Sequence, residues 1–283
     1  MDVTPILAPL NDAQREAVTA AAEPVLVVAG AGSGKTRVLV HRMAWLIEVE
    51  SVSPMGILAV TFTNKAAAEM RSRTEALLDM PVANLWVGTF HGLAHRLLRR
   101  HWQEAGLAQS FQILDSEDQQ RLIRRMLKNL DLDESTWVPQ EIQWFINQQK
   151  DDGFRPEHLD DRNDHNRQQF IRFYHMYQEI CERSGLVDFA ELLLRAHELW
   201  LKNPDLLAQY QRRFRHLLID EFQDTNAVQY AWLRVLAGET GIPFAVGDDD
   251  QSIYRWRGAR AENMQRLQKD FAGIRVIKLE QNY

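Results

Sequence analysis

Cysteine is nearly absent from this sequence, which contains Cys181 alone among 283 residues. A single thiol excludes an internal disulfide framework, and such sparse use of cysteine is typical of a reducing compartment. We therefore expect a cytoplasmic protein. Because the sequence suggests no catalytic histidine partner for Cys181, we interpret this residue as buried packing.

Long apolar runs and a basic leader are also lacking. No run approaches the ~20 apolar residues that a membrane-spanning helix requires. The first residues, MDVTPILAPLNDAQ, lack a basic region followed by a long apolar stretch, so we expect no signal peptide. These features favour a protein that does not associate with membranes.

A basic excess is missing as well, since 33 Lys and Arg residues face 39 Asp and Glu residues. The net charge of −6 argues against a wholly basic coat protein for nucleic acid, but it permits a local basic groove. The length favours two domains, and the hydrophobic share of 45% is sufficient for a core.

Short apolar runs recur along both ends of the chain. They are nearly continuous rather than alternating, which is typical of strands buried on both faces of a parallel sheet. Helical patterns follow several of them, for example at 64–78 and 226–238, so the sequence predicts an α/β layer. The runs are VLVVA (25–29), ILAVTF (57–62), LWVGTF (85–90), HLLIDEF (216–222), PFAVG (243–247) and RVIKL (275–279).

Between about Phe90 and Arg215 the apolar residues change to helical spacing, and we identify no convincing strand there. Ser116 and Asp188 are candidate N-caps, and Pro139 and Pro204 are candidate first-turn residues. A loop of this length would be anomalous, which favours an inserted domain. We predict an all-helical insertion at 91–215 within an α/β domain formed by 1–90 and 216–283.

A glycine-rich loop separates the first apolar run from a helical pattern in VLVVAGAGSGKTRVL (25–39). Glycines let successive N–H groups face phosphate oxygens, and the start of the helix adds its positive dipole. Lys35 is expected to reach the β- and γ-phosphates, and the Thr36 hydroxyl to bind Mg²⁺. Alanine occupies the first position of the usual pattern. The predicted phosphate loop comprises Ala29, Gly30, Ala31, Gly32, Ser33, Gly34, Lys35 and Thr36.

Two carboxylates end the apolar run in HLLIDEFQDT (216–225). Ligands of α/β sheets gather at the carboxyl ends of the strands. We expect Asp220 to hold Mg²⁺ through water and Glu221 to polarise the water that attacks the γ-phosphate. Asp220 alone would fit a solvated helix cap, but the upstream GKT sequence favours metal and water chemistry.

The stretch GDDDQSIYRWRGA (247–259) combines carboxylates with aromatic and basic residues. Asp248 and Gln251 follow an apolar run closely enough to lie near the nucleotide. Tyr254 and Trp256 come later, where they could stack on bases with support from neighbouring arginines. Core packing is the alternative for Trp256, and its flanking arginines argue against full burial.

A histidine-rich helix, GTFHGLAHRLLRRHW (88–102), allows two interpretations. His91, His95 and His101 could suggest a metal site. The interleaved arginines would repel a cation, so a helix that faces DNA or solvent is favoured.

Seven stretches together resemble superfamily 1 DNA helicases of the UvrD/Rep/PcrA type, from Leu10 to the last residue. The resemblance implies a first RecA-like ATP-binding domain with a helical companion. It also implies ATP and Mg²⁺ as cofactors, 3′→5′ movement on single-stranded DNA, unwinding at duplex junctions, and roles with DNA-repair proteins in repair and replication. The stretches are AGAGSGKT, TFTNKAA, GTFHGLAHRLLR, LVDFAELL, LIDEFQDTN, VGDDDQSIYRWRGA and LEQNY.

The resemblance assigns roles that spacing does not give. Gln14 resembles the glutamine that reads adenine, and Arg37 the arginine that helps to hold the nucleotide. Gln251 resembles the γ-phosphate sensor, and Tyr283 the tyrosine that stacks on adenine. Arg255 receives no role. The positions that resemble contacts to single-stranded DNA are Thr61, Phe62, Asn64, His91, Phe189, Tyr254, Trp256 and Arg257.

In the family an arginine follows the position of Tyr283, and a second RecA-like domain supplies another. The resemblance therefore implies that these residues form the N-terminal half of a motor, with little hydrolysis alone. A nucleotide-switched DNA- or protein-binding module is the alternative from another class, and intact Lys35 and Glu221 favour the enzyme. A third alternative, a small-molecule P-loop kinase, is not favoured, because the sequence contains no recognisable acceptor site.

Overall fold

The computed structural model describes residues 2–30, 32–82, 84–248 and 262–279, and all statements below concern these residues. Eight strands occur in them. They are β1 (Val25–Ala29), β2 (Ile57–Thr61), β3 (Trp86–Thr89), β4 (Gln112–Leu114), β5 (Leu186–Asp188), β6 (His216–Ile219), β7 (Ile242–Gly247) and β8 (Arg275–Leu279).

Twelve α-helices separate the strands, and three short 3₁₀ turns lie at Pro54–Gly56, Pro156–His158 and Phe222–Asp224. No described helix is long and apolar enough to cross a membrane. The helices are α1 (Thr4–Leu7), α2 (Asp12–Val18), α3 (Lys35–Glu48), α4 (Asn64–Leu78), α5 (Phe90–Arg100), α6 (Ser116–Asn129), α7 (Pro139–Asp151), α8 (His165–Ser184), α9 (Phe189–Lys202), α10 (Pro204–Arg213), α11 (Ala227–Ala237) and α12 (Glu262–Asp270).

Six strands form one parallel sheet in the order β3-β2-β6-β7-β1-β8. The predicted α/β fold with a parallel sheet is confirmed, and β1 covers the predicted run at 25–29. Because all six strands run in one direction, their carboxyl ends share one edge. β7 lies between β1 and β6, so the segments that follow β1 and β6 meet across the end of β7.

The sheet core is apolar on both faces of its central strands. All residues of β6 and β7 are buried, and four of the five residues of β1 are buried. Helices α2 and α3 pack on this sheet, with Val38, Leu39 and Met43 among the fully buried side chains. Burial on both faces explains why the strand sequences are continuously apolar rather than alternating.

The chain divides into two compact units. The first contains Met1–Leu93, Asn203–Thr225 and Leu233–Tyr283, and the second contains Ala94–Lys202 and Asn226–Trp232. The second unit has its own core, where aromatic and aliphatic side chains of α6, α7 and α8 pack together. The domain boundaries at 90 and 215 stay a prediction.

The insertion is not all-helical, which corrects the sequence-based expectation. β4 and β5 form a two-stranded parallel sheet in which Leu114 is paired with Asp188. Each strand has only three residues, too few for a periodic pattern to emerge. The cap of α6 is also shifted, because Asp115 rather than Ser116 accepts a hydrogen bond from the Asp118 amide. Pro139 and Pro204 begin their helices as predicted.

A buried network of charges joins α7 and α9 in the second unit, and the sequence did not predict it. The fully buried Lys150 donates to Asp188 at 2.6 Å and lies 3.0 Å from Glu191. Burial alone would lower the pKa of Lys150, but these two carboxylates raise it above its ordinary value. The network contains three cations and three carboxylates: Lys150, Arg155, Arg195, Asp188, Glu191 and Glu198.

Asp188 links this network to the start of α9. Its Oδ1 accepts from the Glu191 amide at 2.7 Å, which confirms the predicted N-cap, and its Oδ2 also accepts from the Tyr177 hydroxyl at 2.8 Å. Cys181 lies in the same core, and burial raises the pKa of its thiol to about 12. The thiol is therefore protonated at neutral pH, in agreement with the predicted packing role.

Candidate nucleotide-binding site

The glycine-rich loop has the form predicted from the sequence. β1 ends at Ala29, where alanine suits the extended backbone, and α3 begins at Lys35. Gly34 caps α3 in the left-handed region, with φ at 87°, which favours glycine. Thr36 is half-buried in the first turn of the helix. The loop therefore directs the first amides of α3 toward the carboxyl edge of the sheet, while Ala31 lies outside the described residues.

Gln14 binds the loop directly. Its Nε2 donates to the Ser33 carbonyl at 2.8 Å, and its Oε1 accepts from the Asn11 amide at 3.1 Å. The side chain is fully buried, and a Cβ atom at Gly34 would lie 2.7 Å from its Nε2. Both polar ends of this amide are thus bound to protein. Gln14 can contact adenine only if one of these hydrogen bonds is broken, and that contact stays a prediction.

Lys35 and Glu221 meet across the end of β7. Lys35 Nζ donates to Glu221 Oε2 at 2.8 Å, which joins the segment after β1 to the segment after β6. Glu221 has φ at 45°, an uncommon conformation for a residue with a side chain. Strain of this kind is frequent at functional sites, and here it turns the carboxylate toward the phosphate loop.

Asp220 is a buried carboxylate at the end of β6. Burial and, to a smaller extent, the adjacent Glu221 carboxylate together raise its pKa to about 7, although the Glu221 amide donates to Asp220 Oδ1 at 3.1 Å and opposes the shift. The charged form is therefore disfavoured in the protein alone. A divalent cation would reverse this preference, so the chemistry of the position fits the predicted metal site.

Thr36 and Asp220 are the chain's candidate contacts to Mg²⁺. Among the described residues no group of three or more His, Cys, Asp or Glu side chains could hold a metal ion by itself. Mg²⁺ at nucleotide sites usually takes only one or two protein ligands and completes its shell with phosphate oxygens and water. The sparse donor set therefore fits a cation that arrives with a nucleotide.

Replacing Asp220 with asparagine is expected to stabilise the metal-free protein above pH 7. Because the pKa of Asp220 in the folded state is higher than its ordinary 3.8, its ionisation destabilises the fold progressively between about pH 4 and about pH 7. Asparagine has no such charge. Thermal unfolding in EDTA should show a higher Tm for Asp220→Asn at pH 8, and the gain should vanish toward pH 4.

The control for this pH dependence is Asp205→Asn, at an exposed aspartate in the first turn of α10. Its Tm should follow that of the parent protein across the same range. A pH-independent effect of Asp220→Asn would contradict the raised pKa.

Arg37 lines a cavity among residues in or near α1, α3 and α4. The cavity has a volume of about 350 Å³, and Arg37 Nη1 also donates to the Pro9 carbonyl at 3.4 Å. Its walls combine apolar and basic side chains, namely Pro5, Pro9, Arg37, Val40, His41, Arg73, Ala76 and Leu77. Apart from Arg37, none of these residues is predicted to contact the nucleotide, so the role of Arg37 in holding the nucleotide stays a prediction.

Residues predicted to contact DNA cluster where β2 and β3 end. Thr61 is paired with Thr89, and the next residues, Phe62 and Phe90, make an edge-to-face contact with ring centroids 5.4 Å apart. Asn64 is exposed at the start of α4, and His91 is half-buried in α5. In the second unit Phe189 begins α9 with half of its side chain exposed.

Thr61 differs from the others because it is fully buried. Its hydroxyl donates to the Thr63 carbonyl at 3.1 Å, which shapes the turn into α4. Thr61 therefore exposes no surface to solvent in this structure, and its contact with DNA stays a prediction. The remaining predicted contacts lie outside the described residues, and they are Gln251, Tyr254, Trp256, Arg257 and Tyr283.

Sequence reasoning gave Gln223 no role, although it lies two residues after Glu221. Its Nε2 donates to Glu221 Oε2 at 2.8 Å, and its Oε1 accepts from the Asp248 amide at 3.0 Å. The only signal in the sequence is its proximity to the acidic pair. The contact with Asp248 depends on the order of strands, which periodicity does not reveal.

A glycine-rich loop after β1, a lysine in the first turn of α3 and an acidic pair after β6 together define a P-loop nucleotide-binding protein with a RecA-like parallel sheet. The chain belongs to the UvrD/REP helicase family: the model of the UvrD/REP helicase N-terminal domain matches residues 10–272.

Named relatives agree with this family. The chain is 60% identical to DNA helicase II of Salmonella typhimurium and of Escherichia coli over all 283 residues. It is 44% identical to the ATP-dependent DNA helicase PcrA of Leuconostoc citreum, again over its whole length. The chain spans 39%, 39% and 38% of the length of these three relatives.

Proposed function

We propose that the whole protein is an ATP-dependent DNA helicase that moves 3′→5′ on single-stranded DNA. The observation that carries this proposal is the 2.8 Å contact between Lys35 and Glu221. It brings a phosphate-binding lysine and a candidate catalytic carboxylate to one edge of the sheet, beside the buried Asp220. Membership in the UvrD/REP helicase family supports DNA as the second ligand.

Hydrolysis assigns a separate task to each of these residues. Lys35 leaves Glu221 and binds the β- and γ-phosphates when ATP enters, because the triphosphate offers a denser negative charge. Thr36 and Asp220 would hold Mg²⁺, which would supply positive charge to neutralise the developing charge on the phosphates. Glu221, released from Lys35, orients the attacking water and polarises it toward the γ-phosphate.

The adenine side of the site includes Gln14, Arg37 and Tyr283, with Gln251 as the proposed sensor of the γ-phosphate. Gln14 already fixes Ser33, so its exchange from the Ser33 carbonyl to adenine would couple base recognition to the shape of the phosphate loop. Tyr283 and Gln251 enter this proposal through the family resemblance alone.

The DNA side uses the exposed or half-buried residues at the ends of β2 and β3, together with Phe189. Aromatic stacking tolerates any base sequence, as movement along a strand requires. We propose that single-stranded DNA contacts Phe62, Asn64, His91, Phe189, Tyr254, Trp256 and Arg257. We also propose that the whole protein acts on duplex junctions, works with DNA-repair proteins and is located in the cytoplasm.

Phe189→Ala is expected to weaken binding of single-stranded DNA by the whole protein. Loss of one stacked base costs ~1–3 kcal/mol of binding free energy. Phe154→Ala is the matched control, because Phe154 lies in the same unit and has 46% of its surface exposed, against 50% for Phe189. Fluorescence anisotropy with labelled oligonucleotides measures both affinities. Equal affinities of the two variants and the parent would remove Phe189 from the DNA surface.

Strand displacement tests the proposed polarity. Duplexes with either a 3′ or a 5′ single-stranded tail are mixed with the whole protein, ATP and Mg²⁺. We expect unwinding of the 3′-tailed duplex and none with Lys35→Ala. Preference for the 5′ tail would contradict the polarity, and displacement without ATP would contradict the motor.

A further inference from the structure

We propose that Gln223 is a positioning residue that aligns Glu221 for catalysis and couples it to the end of β7. This inference rests on the proposed function and adds a residue to that site. Gln223 is buried, and both ends of its amide are bound. It therefore acts as a rigid link rather than as a contact to substrate.

One end of the link acts on Glu221. Gln223 Nε2 donates at 2.8 Å to Oε2, the same carboxylate oxygen that accepts from Lys35 at 2.8 Å. When ATP takes Lys35 away, Gln223 is the donor that remains among the described residues to fix the orientation of the carboxylate. A general base must lie within hydrogen-bonding distance of the water that it activates, so such fixation bears directly on turnover.

The other end acts on the exit from β7. Gln223 Oε1 accepts from the Asp248 amide at 3.0 Å, and a Cβ atom at Gly247 would lie only 2.8 Å from the same oxygen. Glycine at 247 thus permits the close approach of the amide. The strand end and the carboxylate cannot move independently while both hydrogen bonds persist.

A second contact ties the same turn to α12. The Nδ2 of Asn263, a fully buried residue, donates to the Thr225 carbonyl at 2.9 Å and lies 3.0 Å from its hydroxyl oxygen. Residues 248 and 263 are therefore both attached to the short turn that begins at Glu221. A displacement of either attachment changes the position of the carboxylate, which makes the turn the coupling element.

Two substitutions of Gln223 test the inference in the whole protein. Gln223→Glu keeps the shape but replaces the donor with a second carboxylate, and Gln223→Leu removes both hydrogen bonds. We expect kcat for ATP hydrolysis with saturating single-stranded DNA to fall by ~10- to 100-fold, as for other misaligned catalytic groups. The Kd of a nonhydrolysable ATP analogue should change little.

The contrast between kcat and analogue affinity is the readout that a purely structural role would not reproduce. A general loss of structure would weaken binding of the analogue along with kcat, whereas misalignment of Glu221 lowers kcat alone.

The matched control is Gln119→Leu. Gln119 is a buried glutamine of the second unit whose amide also binds at both ends, with Asn147 and Gln143. Its Tm should fall like that of Gln223→Leu while kcat and stimulation by DNA are retained. If one Gln223 variant does not fold, the other decides the test.

Normal kcat and normal DNA stimulation in a folded Gln223 variant would overturn the inference and leave the proposed function intact. Absence of DNA-stimulated hydrolysis in the parent protein would overturn both. A fall in kcat with unchanged analogue binding, absent from Gln119→Leu, is the result that supports the positioning role.

Discussion

Glu221→Gln in the whole protein is expected to abolish ATP hydrolysis while ATP binding persists. The substitution preserves the shape of the side chain but removes the charge that polarises the attacking water, and loss of a general base typically costs ~10²–10⁴-fold in rate. It also removes the 2.8 Å ion pair with Lys35, so the lysine meets less competition for the phosphates. ATP affinity should consequently be equal to or tighter than that of the parent.

Phosphate release and equilibrium binding of a fluorescent ATP analogue separate these two effects. Glu117→Gln on α6 is a suitable control, because it removes one carboxylate from an exposed position of the second unit. Its turnover should equal that of the parent. Turnover by Glu221→Gln near the parent rate would contradict the assignment of Glu221 as the general base.

Lys150→Met is expected to destabilise the second unit severely. The change removes one cation from a buried network in which cations and carboxylates are equal in number. Asp188 and Glu191 each lose their ion pair with Lys150. Breaking a buried pair by removing one member costs ~3–5 kcal/mol, because the remaining charge stays buried. The start of α9 is affected too, since Asp188 caps that helix.

Thermal unfolding measures the loss of stability, and each kcal/mol lowers Tm by ~2–4 °C for a protein of this size. Lys128→Met on the exposed face of α6 should leave Tm close to that of the parent. Adding Asp188→Asn to Lys150→Met removes the uncompensated carboxylate and should recover part of the loss. A single variant as stable as the parent would show that the network contributes little.

The sheet was predictable because its central strands are buried on both faces, although β8 at its edge exposes three of its five residues. The run at 25–29 coincides with β1, and the run at 275–279 coincides with β8. β4 and β5 could not be predicted, because each has three residues and its partner lies about seventy positions away. Pairing over such a separation is a property of the folded chain and leaves no local pattern in the sequence.

The candidate site was predictable where its functional residues lie close together in one short stretch of sequence. The GKT loop and the acidic pair are of this kind, and the structure brings Lys35 and Glu221 together. The binding of Gln14 to Ser33 depends on how α2 packs beside the loop, and the binding of Gln223 to Asp248 depends on which strand ends are neighbours. The pairing of β6 with β7 determines the second contact, and hydrophobic periodicity carries no information about strand order.

The most direct test of the account is phosphate release by the whole protein at increasing concentrations of single-stranded DNA. We expect slow hydrolysis without DNA, a rise to saturation as DNA is added, and loss of both rates in Lys35→Ala. A rate that does not respond to DNA, or one that survives in Lys35→Ala, would contradict the claim that this P-loop site drives a DNA motor.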